Sequence, residues 1–218
     1  MKFLFNIFLF LLVSINSSFS KEKVVLFEFT KDELPKLKSH SIKKKTDYTI
    51  LVEQSGACVN GCLKAEAEGQ ASGLGKEIKV NLNKTPYLNI TWKVEKGLPG
   101  IKENTKKGHD FAARVSVIKE TGSLPWQKKV MNYVFSSNEK TNAHWVGPYR
   151  KQIIDYVASS LVDTKEGTWV TAKLNVKDHF KDFLELDVNE IDGVAIMTDT
   201  DNTKKKVISY YKEVYFSD

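Results

Sequence analysis

The sequence is short of almost everything that would mark a metalloprotein, a redox protein or a membrane bundle. Its 218 residues include two cysteines, five prolines, three methionines and four histidines. Two cysteines cannot build a disulfide-dense miniprotein, and histidines scattered as His40, His109, His144 and His179 form no local zinc motif. Beyond the N-terminus no apolar run is long enough to span a bilayer. The common catalytic strings are missing too. Gly69-Gln70-Ala71-Ser72-Gly73 carries its serine one place late for a nucleophile elbow. Gly69 to Gly75-Lys76 is one residue too long for a phosphate loop, and Glu77 stands where a hydroxyl should bind magnesium. Carboxylate pairs of the glycosidase kind leave no short motif, so hydrolysis is not excluded.

What is present is an ordinary globular balance, 41% hydrophobic and 28% charged, with 33 Lys and Arg against 27 Asp and Glu for a net charge of +6. Met1-Lys2 precedes an apolar stretch from Phe3 to Val13, and a polar, small-residue segment follows to Ser20. That order predicts a signal peptide over residues 1–20, with Ser18 and Ser20 at the −3 and −1 positions, and a single mature domain over 21–218. The expectation is therefore an exported protein, periplasmic or secreted, with no transmembrane span after signal cleavage. In that setting a basic balance points to acidic glycans, lipid headgroups or the wall, and no nucleic-acid partner is expected. The lysine runs Lys43–Lys45, Lys106-Lys107, Lys128-Lys129 and Lys204–Lys206 are scattered beside turn residues and read as solvated charge.

Export also bears on Cys58-Val59-Asn60-Gly61-Cys62, which reads as a disulfide in an oxidising compartment. A three-residue hairpin loop with Gly61 left-handed would set Cys58 opposite Cys62. Elsewhere period-two alternation recurs. Leu88, Ile90, Trp92 and Val94 share one face of a strand, and Trp92 is read as core. In a second strand Phe111, Ala113, Val115 and Val117 oppose Ala112, Arg114, Ser116 and Ile118. Similar runs lie at Val24–Phe29, Asp47–Glu53, Leu63–Ala67, Ile78–Leu82 and Lys129–Phe135, then at Gln152–Ser159, Trp169–Val176, Gly193–Thr198 and Val207–Phe216. One segment has helical spacing, with Asp178 as cap and Phe180, Phe183 and Leu184 on one side. About eleven strands and one short helix predict an all-β fold, a two-sheet antiparallel jelly-roll-like sandwich.

Two stretches carry more polar residues than strand ends need. Asp110 opens the second strand, and Arg114 lies on the face opposite its apolar stripe, where a carboxylate such as Asp199 or Asp201 would satisfy it. Asp199, Asp201 and Asn202 follow an apolar strand, a cluster of hard oxygens that suits calcium or sugar hydroxyls, or an Asx-rich turn capping its own backbone. Calcium, held by Asp199 and Asp201, is the one cofactor considered. Trp145, read as a loop residue in Ala143-His144-Trp145-Val146-Gly147-Pro148-Tyr149, could stack on a sugar or cover an open end of the sandwich.

Tyr87-Leu88-x-Ile90-x-Trp92-Lys93-Val94, Asp110-Phe111-Ala112-Ala113-Arg114-Val115, Asn132-Tyr133-Val134 and the long run from Asp192 to Thr203 resemble domain-of-unknown-function family 3047. The resemblance covers nearly all of the mature chain and departs from the family at His109-Asp110, where a pair of acids is common. It implies a bacterial exported protein and shared importance for the two polar stretches, but no activity. Three readings follow. The first is a monomeric, non-catalytic module binding a glycan or other polar envelope component. The second is a hydrolase of envelope glycans using Asp110 and Asp199, and the third an envelope assembly factor.

Overall fold

Alternating sequence becomes strand here because each strand has one face to bury. The computed structural model describes residues 22–218; the expected signal peptide and Lys21 lie outside the described residues. In chain order the strands are β1 (Lys23–Phe27), β2 (Lys38–Lys43), β3 (Asp47–Leu51), β4 (Cys62–Glu68), β5 (Ala71–Asn81), β6 (Tyr87–Lys96) and β7 (Ala113–Glu120). They continue as β8 (Lys128–Ser136), β9 (His144–Val146), β10 (Ile153–Ser160), β11 (Val170–Asn175), then helix α1 (Val176–Leu184), β12 (Glu190–Asp199) and β13 (Lys206–Ser217). One sheet runs β11-β6-β13-β4-β3, with β1 also on β13; the other runs β2-β5-β12-β7-β8-β10-β9. Every ladder is antiparallel except β8 with β10, where β10 returns beside β8 and leaves the three-residue β9 at the edge.

The sandwich interior is filled by the stripes read from sequence, except that Phe111, which precedes β7, leaves the second stripe and packs in a separate cluster. Leu88, Ile90, Trp92 and Val94 are fully buried and face Val115, Val117, Tyr133, Phe135 and Ile196 of the other sheet in one core. Trp92 tilts against Phe135 and Tyr211, and its indole N–H donates to Ser159 Oγ at 2.9 Å, so the polar tip of this core residue is satisfied. Helix α1 closes one end, burying Val176, Phe180 and Leu184. Its cap is Asn175, three residues before the expected Asp178: the Asn175 side chain accepts from Asp178 N–H at 3.2 Å.

The Cys58–Cys62 disulfide forms, with Cα atoms 5.1 Å apart. It does not bridge a hairpin as expected. Cys62 pairs with Leu51 at the start of β4, and Cys58 lies in the turn before it, its carbonyl accepting from Gly61 N–H at 3.0 Å. Gly61 is left-handed (φ +97°), and a Cβ there would sit 2.7 Å from Phe29 O, so only glycine fits.

Candidate functional site

The seven-stranded sheet has a second face, turned away from the core, and the strand register decides what appears on it. One row across the strands reads Lys38, Gly75, Ala195, Ser116, Asn132, Asp155, Trp145. The next reads His40, Gly73, Met197, Arg114, Val134, Val157. Where these rows carry Gly73, Gly75, Ala195 and Ser116, and where Gly193 stands between Glu77 and Ile118 in a further row, the sheet has almost no side-chain relief. A trough of about 790 Å³ results, walled by longer side chains such as Lys38, Glu77, Lys128 and Arg150. Gly73 also lets β5 lie close to β12, since a Cβ there would stand 2.8 Å from Ile196 O.

The other half of this face is covered. Phe111 packs with Val134 and Val157 in a small second cluster that Trp145 and Ala143 flank. Trp145 belongs to β9, not to a loop as expected, and its ring lies 6.5 Å from Phe111, nearly parallel. Its indole N–H is buried without a partner among the described residues. In this placement the half-buried ring lies over Phe111 and helps cover the sheet.

The segment that covers the sheet is fastened by the expected polar residues. Asp110, fully buried, accepts from Asn202 N–H and Nδ2 at 3.2 and 2.9 Å and from Thr203 N–H at 2.6 Å. It precedes the strand rather than opening it, as β7 begins at Ala113. Asn202 also donates to His109 O at 3.1 Å, and the Tyr149 hydroxyl lies 3.1 Å from Asn202 Oδ1. Arg114 and Asp199 form the ion pair inferred from the stripe: Arg114 Nη2 donates to both carboxylate oxygens at 2.7 and 2.9 Å. Phe111 N–H adds a longer bond at 3.3 Å, and the guanidinium lies 4.9 Å from the Phe111 ring centre. Burial pushes the Asp199 carboxyl up to about 6, although Arg114 pulls it down.

Carboxylate oxygens of Asp110, Asp199 and Asp201 lie within 4.8 Å of one another. The donor set does not suit calcium, because the oxygens of Asp110 and Asp199 already accept N–H bonds and a guanidinium supplies the positive charge. Nor does the pair suit glycoside hydrolysis, which needs two carboxylates facing an open cleft with room for the sugar; these are buried and internally bonded.

A chain of polar side chains not visible in the sequence runs under the same face. Ser116 Oγ donates to Asn132 Oδ1 at 2.7 Å, Asn132 Nδ2 donates to Asp155 Oδ1 at 2.8 Å, and Asp155 Oδ2 lies 2.8 Å from His109 Nε2. Burial alone would raise the Asp155 carboxyl; the His109 bond and the charge of Arg114 hold it below the usual range. Ser116 and Asn132 open onto the trough, whereas His109 and Asp155 anchor the covering segment. Of the six expected ligand residues, Arg114 alone lines the trough; Asp110, Trp145, Asp199, Asp201 and Asn202 belong to the structure that bounds it.

Solved structures with a similar fold include the family 30 carbohydrate-binding module of a cellulosomal cellulase of Clostridium thermocellum, at 8% identity and a TM-score of 0.48 over 89% of this chain and 96% of that one. Another is the xyloglucanase domain of a type three effector from Sinorhizobium fredii, at 11% identity and TM-score 0.46 over 84% and 93%. A third is the glycoside hydrolase domain of Endo-D from Streptococcus pneumoniae R6, at 10% identity and TM-score 0.41 over 83% of this chain but only 21% of that one. At such identities the likeness concerns the architecture alone. No curated protein sequence matches the chain. Residues 32–215 match the family described as Protein of unknown function (DUF3047), and the chain belongs to that family.

Proposed function

We propose that this protein is an exported, non-catalytic binding module that takes a glycan strand in the trough across the seven-stranded sheet. The observation that carries the reading is the trough itself. A floor of glycine, alanine and serine on an otherwise regular sheet removes side chains where a solvated sheet face usually carries them, and the volume of about 790 Å³ lies within the range of ligand sites. The lining mixes apolar patches (Ile118, Val130, Ile153, Met197) with hydroxyl and amide groups (Ser116, Asn132). A sugar ring has an apolar face and a polar edge, and both find counterparts here. The disulfide accords with an oxidising compartment, periplasmic or extracellular, and among the described residues no helix is long and apolar enough to cross a membrane.

Polysaccharide pull-down and a glycan array test the reading, with Ala195→Trp as control. Ala195 is half-buried on the trough floor, so the indole fills the trough without entering the core. The expected result is retention of at least one polysaccharide by the parent protein, loss of it in the variant, and an unchanged far-UV spectrum. Equal retention by both proteins would remove the trough from the account.

A further inference from the structure

The charges around the trough go further than its shape. Five cationic side chains line it, Lys38, Lys76, Arg114, Lys128 and Arg150, against three carboxylates. Those carboxylates are already matched: Glu77 by Lys38 at 2.6 Å, Glu120 by Lys128 at 2.6 Å and Asp192 by Lys119 at 2.8 Å. Among the described residues Arg150 has no carboxylate within ion-pair distance.

Arg114 is the second observation. Its side chain is 8% exposed and rigidly held, yet both of its bonds to Asp199 leave through Nη2. Among the described residues the buried Nε–H meets no acceptor. A guanidinium offers five N–H donors; Arg114 lines the trough with its Nε–H uncommitted but covered, so a planar anion reaches that edge only once a neighbouring side chain moves aside. The neighbour across the ladder toward β5 is Met197, a flexible, half-buried side chain that also lines the trough and can give way to an incoming group.

Resting on the glycan reading above, we infer that the ligand is an acidic glycan, and that a uronate carboxylate seats at Arg114 with Arg150 as the outer cation. The pairing of every acid in the wall leaves no unneutralised carboxylate to repel it. Arg114 is fixed by Asp199 before the ligand arrives, so little side-chain freedom is lost on binding.

The test compares one polyuronate with the same polymer after reduction of its carboxyls to alcohols, by calorimetry at low and at 0.5 M salt. Polyphosphate serves as the polyanion control. Binding of the polyuronate about tenfold tighter than of its reduced form, with weak polyphosphate binding, supports the inference. Equal affinity for the acidic and reduced polymers keeps the glycan module and overturns its acidic specificity. Failure to bind either, or polyphosphate binding as tight as the polyuronate, overturns the specificity and the glycan reading together. Arg150→Ala, on an exposed side chain outside the buried network, should weaken the acidic polymer several-fold more than the reduced one; equal effects on the two polymers, or none, would remove Arg150 from carboxylate recognition.

Discussion

Arg114→Ala is the sharpest perturbation of this architecture, because it strips a buried carboxylate of its counter-ion. Arg114 and Asp199 side chains are 8% and 4% exposed, and the guanidinium supplies two of the three hydrogen bonds that Asp199 accepts. Breaking a buried pair from one side costs about 3–5 kcal/mol. Asp199 keeps the Phe111 N–H bond and can take up a proton, so the lower end, about 3 kcal/mol at pH 7.5, is expected. For a domain of this size that lowers the melting temperature by about 6–12 °C.

The pH dependence separates this cause from a simple loss of packing. The Asp199 carboxyl stands at about 6 in the fold against an ordinary 3.8, so the folded protein holds the extra proton between those values. That group's contribution to stability is complete below about pH 3.8 and is lost as pH rises through about 6. Without Arg114 the folded value rises further, and the loss continues above pH 6. The deficit of Arg114→Ala relative to the parent should therefore be small at pH 5 and grow toward pH 8. Urea unfolding at pH 5, 6.5 and 8 measures it, with Arg114→Ala/Asp199→Asn as the partner variant. The double variant should recover part of the loss at pH 8, since it removes the unpaired charge. A deficit below about 1 kcal/mol at pH 8, or a double variant no more stable than the single, would refute the reasoning.

Three further outcomes follow from the same structure. Replacing Cys58 and Cys62 by serine should cost only about 2 kcal/mol, because the closed loop is so short; urea midpoints of the parent and variant check this, and intact mass of the exported protein should show no alkylatable thiol. His179 packs against Tyr133, Tyr156 and Phe183, and burial holds its imidazole below the ordinary value of 6.5. Its contribution is complete above that value and is lost as pH falls through the lowered one, so amide exchange in α1 should quicken from pH 7 to 5 and lose that dependence in His179→Phe. Because internal donors occupy Asp110 and Asp199, millimolar calcium against EDTA should leave the melting temperature unchanged; a rise of several degrees would put a cation at the acidic turn.

What could be read from the sequence was what one strand declares about itself. Tyr87–Val94 announces a buried face through Leu88, Ile90, Trp92 and Val94, and Arg114, opposite such a stripe, was either solvent-facing or best satisfied by a carboxylate. β2 could not be read that way: Lys38–Lys43 is exposed at every position and shows no apolar alternation. β9 has three residues, too few for a period. The first half of β5 is Ala-Ser-Gly-Leu-Gly, where Leu74 is the one large apolar side chain, so the half-strand that floors the trough shows no alternating apolar face. The Ser116–Asn132–Asp155–His109 chain joins three strands and a loop. It depends on the parallel return of β10 beside β8, which nothing within either strand encodes. The aspartates were rightly grouped, but oxygen-rich turns look alike whether they await a cation or accept their own backbone.

These misses share a cause that also explains the placement of the candidate site. A binding face on a sheet must lose its side chains to gain depth, and the residues that do this, Gly73, Gly75, Gly193 and Ala195, carry no chemistry to notice. The chemistry gathers at one end of the trough, where the segment before β7 folds over Phe111 and is held by Asp110 and Asn202. Arg114 belongs to both regions. Through Nη2 it holds the strand end at Asp199, and its side chain also lines the trough, so in the proposed reading the residue that orders the covering segment would also orient the ligand anion. Arg114→Lys therefore separates the two roles. A lysine keeps the charge beside Asp199 but lacks the planar fork, so stability should fall less than in Arg114→Ala while discrimination between acidic and reduced polymers falls as far. Retained discrimination in Arg114→Lys would confine Arg114 to the scaffold.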